Sequence, residues 1–495
     1  MSRIIIQNGN LCELDLPLKF AQKLYNEFAI RHPNAFYLRT RQRGMQNWDG
    51  KIHYITKTGQ FKIGLLPKVY DMCIEMGIKP KVVDMRQPLP KVSKVVTNIG
   101  KYKLRPEQEK AVKSVINNRV GDTLFHIGVL DYTVNAGKTL IMSSLYLTYK
   151  KQLKTLLITN DSDWLNQARE EFKQYLPGED ITFVQGKVLN WSNFTIGMVQ
   201  SISRNMRFYQ KELSQIDMVL VDEADQGGSK QYQNVITRLF NTRIRIGLSG
   251  TIYMSKLAKD KVKNMNLECF FGKVIAEFKL KDSIKKGYST KTIVKMVPGK
   301  PWYGNWESDC ISYKEIYDDS ITENNTAWTM AYNRLRWNIN QGRYPALVVC
   351  KHIAHCENLY KFFKKKLGDA YNIAYVHVNT PSKLRQQIMR DFREGKIDIL
   401  VSTTIIARGK NFPKLRYLLN AASMDSQEKS IQFLGRLVRT DKSKKKVYLD
   451  DLHYPGPYLD RHGKHRKQYY QRQELKVILL DKLWKKHPNH SLIKS

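Results

Sequence analysis

The sequence predicts an α/β protein: two doubly wound parallel sheets in tandem, preceded by a small α+β domain and followed by a basic helical tail. Three observations carry that expectation. Short, continuous apolar runs alternate with helix-like stretches over roughly residues 100–275 and again beyond about 340, the pattern of parallel strands covered on both faces. A Gly-Lys-Thr at 137–139 stands between an apolar run and a helical stretch. Finally, 495 residues with 42% hydrophobic and 11% aromatic content supply enough apolar surface for about three cores at roughly 150 residues per domain.

The elements follow in order. Residues 1–95 mix strand-like runs, Arg3 to Ile6 and Lys51 to Ile55, with an amphipathic stretch from Pro17 to Ile30, and end at the link Gln87-Pro88-Leu89-Pro90. Residues 96–275 form the first α/β unit, with strands at Leu156 to Ile158, Thr195 to Val199, Met218 to Val221 and Ile244 to Leu248. The second unit, 276–450, begins with a stretch to about 340 that reads as irregular. Its strands then fall at Ala346 to Cys350, Ile373 to Val378, Asp398 to Thr403, Tyr417 to Ala421 and Lys446 to Leu449, with helices from about Ala354, Ser382 and Glu428. Residues 451–495 read as a basic helical tail.

The formal charge of +38 points to a polyanionic partner. Both ends are enriched: residues 1–103 hold 18 Lys/Arg against 7 Asp/Glu, and residues 441–495 hold 14 against 6. No apolar run approaches the roughly 18 residues a membrane span needs, and the N-terminus has no signal core, so a cytoplasmic protein is expected. The cysteines at 12, 73, 269, 310, 350 and 356 lack CxxC pairing and read as reduced thiols, neither a zinc site nor a disulfide framework.

The Gly-Lys-Thr has the strand–loop–helix context of a phosphate-binding loop. Asn135, Ala136 and Gly137 can wrap a phosphate with backbone amides, Lys138 can reach the β and γ oxygens, and the Thr139 hydroxyl can ligand Mg²⁺. The strict pattern wants glycine where this chain has Tyr132. Asp222-Glu223-Ala224-Asp225 closes an apolar strand about 80 residues downstream. There Asp222 can hold Mg²⁺ through water and Glu223 can orient and deprotonate the attacking water. Two α/β units suggest a motor in which the second supplies cations. Arg436 and Arg439, three apart on a helix beginning near Glu428, are expected to project from one face toward the transferring phosphoryl.

These segments, with four others, resemble the motifs of superfamily 2 helicases, in family order over roughly residues 104–440. Leu104-Arg105-Pro106-Glu107-Gln108 resembles the adenine-contacting segment, which implies nucleotide contacts for Arg105 and Gln108. Leu157-Ile158-Thr159-Asn160, with Gln167, resembles motif Ia. Leu248-Ser249-Gly250-Thr251 resembles motif III, which links nucleotide and nucleic-acid sites, and implies roles for Ser249 and Thr251. Ser402-Thr403-Thr404 through Arg408-Gly409-Lys410-Asn411 resembles motif V, implying a nucleic-acid contact for Thr403 and a nucleotide contact for Gly409. Gln432 to Arg439 resembles motif VI, placing Gln432, Arg436 and Arg439 in catalysis. The Ser-Gly-Thr and Gln-Phe-Leu-Gly-Arg sequences depart from DEAD-box RNA helicases and lie nearer the XPB-type and UvsW-type DNA helicases.

The ends sharpen the resemblance to UvsW-type proteins. Asn47-Trp48-Asp49-Gly50 preceding Gly64-Leu65 resembles their N-terminal domain, and Arg461 to Tyr470 resembles their His-Gly-bearing tail. The resemblance implies RecA-like lobes, ATP and Mg²⁺ as cofactors, and a monomer acting on branched double-stranded DNA or DNA–RNA hybrid. Arg39, Arg41, Arg43 and Lys51 interleave with Phe36, Tyr37, Trp48 and Tyr54, a mixture suited to phosphate pairing and base stacking, although the last two aromatics also suit a small core. Lys464, Arg466 and Lys467 form a basic cluster suited to phosphates or to a solvated helix face. Rival readings are an RNA helicase, the motor subunit of a nuclease or restriction complex, and a clamp with a degenerate ATPase.

Overall fold

Strand β1 (Arg3–Ile6) pairs antiparallel with β2 (Leu11–Asp15), and α1 (Leu18–Glu27) follows. The computed structural model describes residues 2–41, 44–149, 152–186, 190–252, 260–299, 312–407 and 412–480. A short hairpin of β3 (Ala29–Arg31) and β4 (Lys51–His53) brackets α2 (Ala35–Arg41). Then β5 (Gln60–Lys62), α3 (Leu66–Glu75) and β6 (Lys81–Asp84) complete a four-stranded sheet in the order β5-β2-β1-β6. Ile4, Ile6 and Cys12 are buried on one face of it, as period-two alternation requires.

After α4 (Pro106–Ile116) the first motor sheet begins with β7 (Ile127–Tyr132) and α5 (Lys138–Thr148). It continues through β8 (Thr155–Thr159), α6 (Ser162–Tyr175), β9 (Ile181–Val184), β10 (Phe194–Met198), β11 (Met218–Asp222), β12 (Ile244–Ser249), α7 (Lys261–Phe271) and β13 (Val274–Phe278). The seven parallel strands stand in the order β9-β10-β8-β11-β12-β7-β13. Every residue of β7, β8, β10, β11 and β12 is buried, which is why they read as largely apolar runs, interrupted by the buried Arg245 in β12 and Asp131 in β7.

Residues 1–278 form one compact unit, and the N-terminal sheet shares a continuous hydrophobic core with the motor sheet, from Ile4 through Phe271. Tyr54 Oη donates to Asn266 Oδ1 at 3.0 Å and Arg86 Nη1 to the Thr242 carbonyl at 3.2 Å across this junction.

Residues 279–495 form the second unit. Its elements are β14 (Lys291–Pro298), α8 (Asn325–Ile339), β15 (Ala346–Cys350), α9 (Ile353–Leu367), β16 (Ile373–Val376), α10 (Ser382–Glu394), β17 (Ile399–Thr403), β18 (Tyr417–Asn420), α11 (Gln427–Leu437), β19 (Lys446–His453), α12 (Leu459–Arg472) and β20 (Val477–Leu479). A second seven-stranded parallel sheet results, ordered β16-β17-β15-β18-β19-β14-β20. The stretch expected to be irregular therefore supplies a full strand and a long helix: β14 pairs with β19 over eight residues, and α8 runs for fifteen. The strand escaped notice because Lys291 and Lys295 break its apolar run; the Lys295 ammonium lies 4.6 Å from the Trp337 ring centre. Among the described residues no helix is long and apolar enough to cross a membrane.

Candidate nucleotide site and nucleic-acid interface

Sheet order sets the first site. β12 lies between β11 and β7, so the carboxylates after β11, the Ser-Gly-Thr after β12 and the Gly-Lys-Thr after β7 emerge side by side at the C-terminal edge, where open α/β sheets bind ligands. Tyr132, where glycine was the usual residue, is the last residue of β7. Its ring is buried and its hydroxyl donates to the Glu107 carbonyl at 2.8 Å, anchoring α4 under the loop. The loop then turns through left-handed Asn135 (φ 63°) and Gly137 (φ 72°) into α5. At Gly137 glycine is required twice over, by that backbone angle and because a Cβ would run into the Gln108 amide.

Gln108 is buried, with Oε1 accepting from the Arg105 backbone N–H at 2.8 Å and Nε2 donating to the Ala136 carbonyl at 2.8 Å. The Arg105 guanidinium donates to the Asn135 carbonyl at 3.1 Å. Both residues thus hold the loop's path. Lys138 Nζ donates to the Tyr132 carbonyl at 3.3 Å, and half-buried Thr139 sits in the first turn of α5, whose amides face the loop. Gly250 brings the Ser-Gly-Thr turn onto the same loop; a Cβ there would lie 3.1 Å from the Tyr132 carbonyl oxygen.

Asp222 ends β11 and is buried, and its Oδ1 has no hydrogen-bond partner. Burial raises its pKa, with Asp225 and Asp161 pushing the same way, while the Lys138 ammonium and the Glu223 backbone N–H oppose them. A buried carboxyl with an orphaned oxygen, beside a threonine-led helix N-terminus, fits a divalent cation. Thr139 and Asp222 would hold Mg²⁺ there, where it would offset phosphate charge. Glu223 stands next in left-handed backbone (φ 52°), a strained conformation for a non-glycine residue and one frequent at functional sites. Asp225 accepts from Ser249 Oγ at 3.0 Å, and Ser249 Oγ lies 3.1 Å from Thr251 Oγ1. Ser249 and Thr251, expected at the nucleic acid, are thereby joined to the acidic segment after β11 through Asp225.

In the second unit Gln432 and Arg436 lie one turn apart on α11, both half-buried. Arg439 lies beyond α11, which ends at Leu437, and Thr290 ties the exit by donating from its N–H to the Val438 carbonyl at 2.8 Å and from Oγ1 to the Arg439 carbonyl at 3.1 Å. Thr403 ends β17 and is buried; next to it Thr404 Oγ1 accepts from Lys429 Nζ at 3.3 Å. Gly409 lies outside the described residues, as does Arg43.

Arg39, Arg41 and Lys51 are exposed. Arg39, Lys51 and Arg31 line an open cleft of about 500 Å³ together with Phe36, whose ring is 79% exposed. The Arg41 guanidinium lies 5.1 Å from the Tyr37 ring centre. Trp48 is half-buried, its Nε1 donating to the Lys51 carbonyl at 2.9 Å, and Tyr54 packs against the core. On α12, Lys464 is exposed and pairs with Asp460 at 2.6 Å, and Lys467 is half-buried. Arg466 corrects the expectation of a phosphate contact. It is wholly buried, with Nε donating to Asp451 Oδ1 at 2.9 Å and the other nitrogens to the Met424 and Leu452 carbonyls. Its charge is neutralised inside the second unit, out of reach of any phosphate.

Asp225, which orders Ser249, was not singled out from sequence; nor was Arg245, a buried cation away from the site on β12 whose signal was a lone arginine in Ile-Arg-Ile-Gly-Leu.

The geometry agrees with comparisons to known proteins. The profile of the type III restriction enzyme res subunit matches residues 101–254, and that of the helicase conserved C-terminal domain matches residues 331–441. A putative helicase 22 from Sulfolobus islandicus filamentous virus is 22% identical over 385 residues, 71% of this chain and 64% of that protein, so this chain spans under two thirds of its length. The ATP-dependent DNA helicase UvsW of Enterobacteria phage T4 is 21% identical over 436 residues, 82% of each chain. Among solved structures, a fragment of a putative HsdR subunit of a type I restriction enzyme from Vibrio vulnificus shares the fold, with a TM-score of 0.58 and 14% identity over 82% of this chain and 73% of that one. With both domains matched in order on two RecA-like sheets, the chain belongs to the superfamily 2 helicases and is related to UvsW.

Proposed function

We propose that this chain is an ATP-dependent DNA helicase or translocase that unwinds or branch-migrates forks, four-way junctions and R-loops in replication, recombination and repair. The observation that carries the reading is the joining of Lys138, Asp222-Glu223 and Ser249-Thr251 at neighbouring strand ends of one sheet. In this reading Lys138 binds the β and γ phosphates, Asp222 and Thr139 hold Mg²⁺, and Glu223 takes the proton of the attacking water as the β–γ bond breaks. The resemblance assigns Arg436 and Arg439 the supply of positive charge to the transferring phosphoryl, Gln432 a part in catalysis and Gly409 a nucleotide contact. Separating a base-pair step takes about 1.4 kcal/mol on average, well within what one hydrolysis event can drive. The alignment with UvsW over 82% of both chains supports DNA as the track, and the exposed Arg39, Arg41 and Lys51 support contact through phosphates, selective for structure more than sequence. Action as a monomer in the cytoplasm belongs to the same proposal.

ATP hydrolysis and strand separation measured with forked DNA, a four-way junction, DNA–RNA hybrid and single-stranded RNA test it. Stimulation by branched DNA or hybrid with unwinding is expected. Stimulation by RNA alone would establish an RNA helicase, and hydrolysis with tracking but no strand separation would favour a restriction-type motor.

A further inference from the structure

The only charged side chain of β12, Arg245, is fully buried. Its Nη2 donates to the Gly9 carbonyl at 2.6 Å and to Asn10 Oδ1 at 2.8 Å, and its Nη1 to the Phe270 carbonyl at 3.3 Å. Among the described residues no carboxylate pairs with it. Burial, then the nearby Arg86, push its pKa down to about 9, so it remains a cation at neutral pH. A buried cation without a counter-ion is costly to a fold, and an apolar side chain of similar length would fill this position more stably. The use of the charge must lie in what its partners connect.

Gly9 and Asn10 form the turn between β1 and β2. The same turn is fastened a second time, through the Gly9 N–H to the Phe240 carbonyl at 2.6 Å and Asn10 Nδ2 to the Thr237 carbonyl at 3.1 Å. Four residues beyond Arg245, β12 ends in Ser249, which donates to Asp225 beside Asp222-Glu223, and Gly250 packs on the phosphate loop. Strand β12, hydrogen-bonded to a neighbour on each side, therefore connects the β1–β2 turn at Arg245 with the carboxylates after β11 at Ser249. We propose that Arg245 is a positioning residue that couples nucleic-acid engagement by the N-terminal region to ATP hydrolysis, by locking the β1–β2 turn to the strand that carries Ser249-Gly250-Thr251. The inference rests on the reading of the N-terminal region as part of the nucleic-acid surface.

The test compares full-length wild type, Arg245→Met, Arg245→Lys and Asn10→Ala, each with ATP hydrolysis measured without DNA and at saturating forked DNA, and with fork affinity measured by fluorescence anisotropy. Arg245→Met should keep basal kcat and KM for ATP within about twofold while the DNA-stimulated to basal ratio falls about 5–150-fold, the range of ordinary coupling between sites. Arg245→Lys should recover part of the ratio, and Asn10→Ala, which removes an acceptor of the buried charge together with the bond to the Thr237 carbonyl, should lower it as well. A full ratio in folded Arg245→Met overturns the proposal. So does a loss confined to fork affinity, since Arg245 would then only hold the binding surface in place. If Arg245→Met fails to fold, a full ratio in Asn10→Ala overturns it equally. Absence of stimulation by any nucleic acid in wild type would instead remove the functional reading, and the coupling with it.

Discussion

Asp222, the proposed Mg²⁺ ligand, is buried at some expense to the fold. Burial dominates its environment and raises its pKa above the ordinary 3.8. A carboxyl whose folded pKa lies above its unfolded value destabilises the fold once the pH exceeds the folded value, and stops doing so below the unfolded one. Asp222→Asn should therefore raise the melting temperature of the nucleotide-free protein at neutral pH, by about 2–4 °C for each kcal/mol relieved. The gap should close as the pH falls through the folded pKa toward 3.8, and calorimetry across that range reads it. The same variant should lose ATP hydrolysis. An unchanged melting temperature would mean that the Lys138 ammonium already neutralises the site. Glu223→Gln separates binding from chemistry: turnover should fall by about 10²–10⁴, the worth of a general base, with ATP affinity kept, as equilibrium binding and single-turnover rates would show.

Helix α12 shows how a basic sequence can be structural. His462, Arg466, Tyr469 and Tyr470 recur at helical spacing and turn inward, while Lys464 and Gln468 face out. Tyr470 Oη donates to Asp451 Oδ2 at 2.7 Å, so Arg466 and Tyr470 together satisfy that buried carboxylate. Arg466→Ala leaves Asp451 buried without its cation and should cost about 3–5 kcal/mol in urea unfolding of the second unit, whereas Lys464→Ala should change it by less than about 1 kcal/mol. Equal effects would put the charge of Arg466 in solvent. The sheets and the Gly-Lys-Thr loop were legible because their signals are local: β8 and β11 are largely apolar runs, and Gly137, Lys138 and Thr139 are consecutive residues between a strand and a helix. Arg466 was not, because its partner Asp451 lies on a strand 15 residues away, and charge alone does not say which side of a helix it faces. The helix end before Arg439 was hidden for a similar reason, since Thr290, far off in sequence, ties the chain there. β14 hid its apolar face behind Lys291 and Lys295 on the opposite one, and two of the partners of Arg245 lie 235 and 236 residues away.

At the scale of the whole molecule, +38 is a statement about salt. Each DNA phosphate neutralised by a protein cation releases condensed counterions, so log K falls with log salt by about 0.9 per contact. Only charges that reach solvent count toward that slope. Arg39 and Lys51 line an open cleft in the first unit, and Lys464 is exposed in the second, held only by a surface pair with Asp460 that contributes little. Arg466 carries the same formal charge and should contribute nothing. Fork binding titrated at several salt concentrations should show the slope reduced by about 0.9 in Arg39→Ala and again in Lys51→Ala. Arg466→Met should leave the slope unchanged while the protein stays folded. The reduction should be alike for forks of different sequence, because phosphates carry no base identity. Arg39→Ala combined with Lys464→Ala should reduce the slope by the sum of the single effects, since the two residues belong to separate units and share no partner among the described residues. A slope unmoved by Arg39→Ala and Lys51→Ala would place the DNA track away from the N-terminal cleft, and a slope reduced by Arg466→Met would mean that α12 opens its buried face to bind.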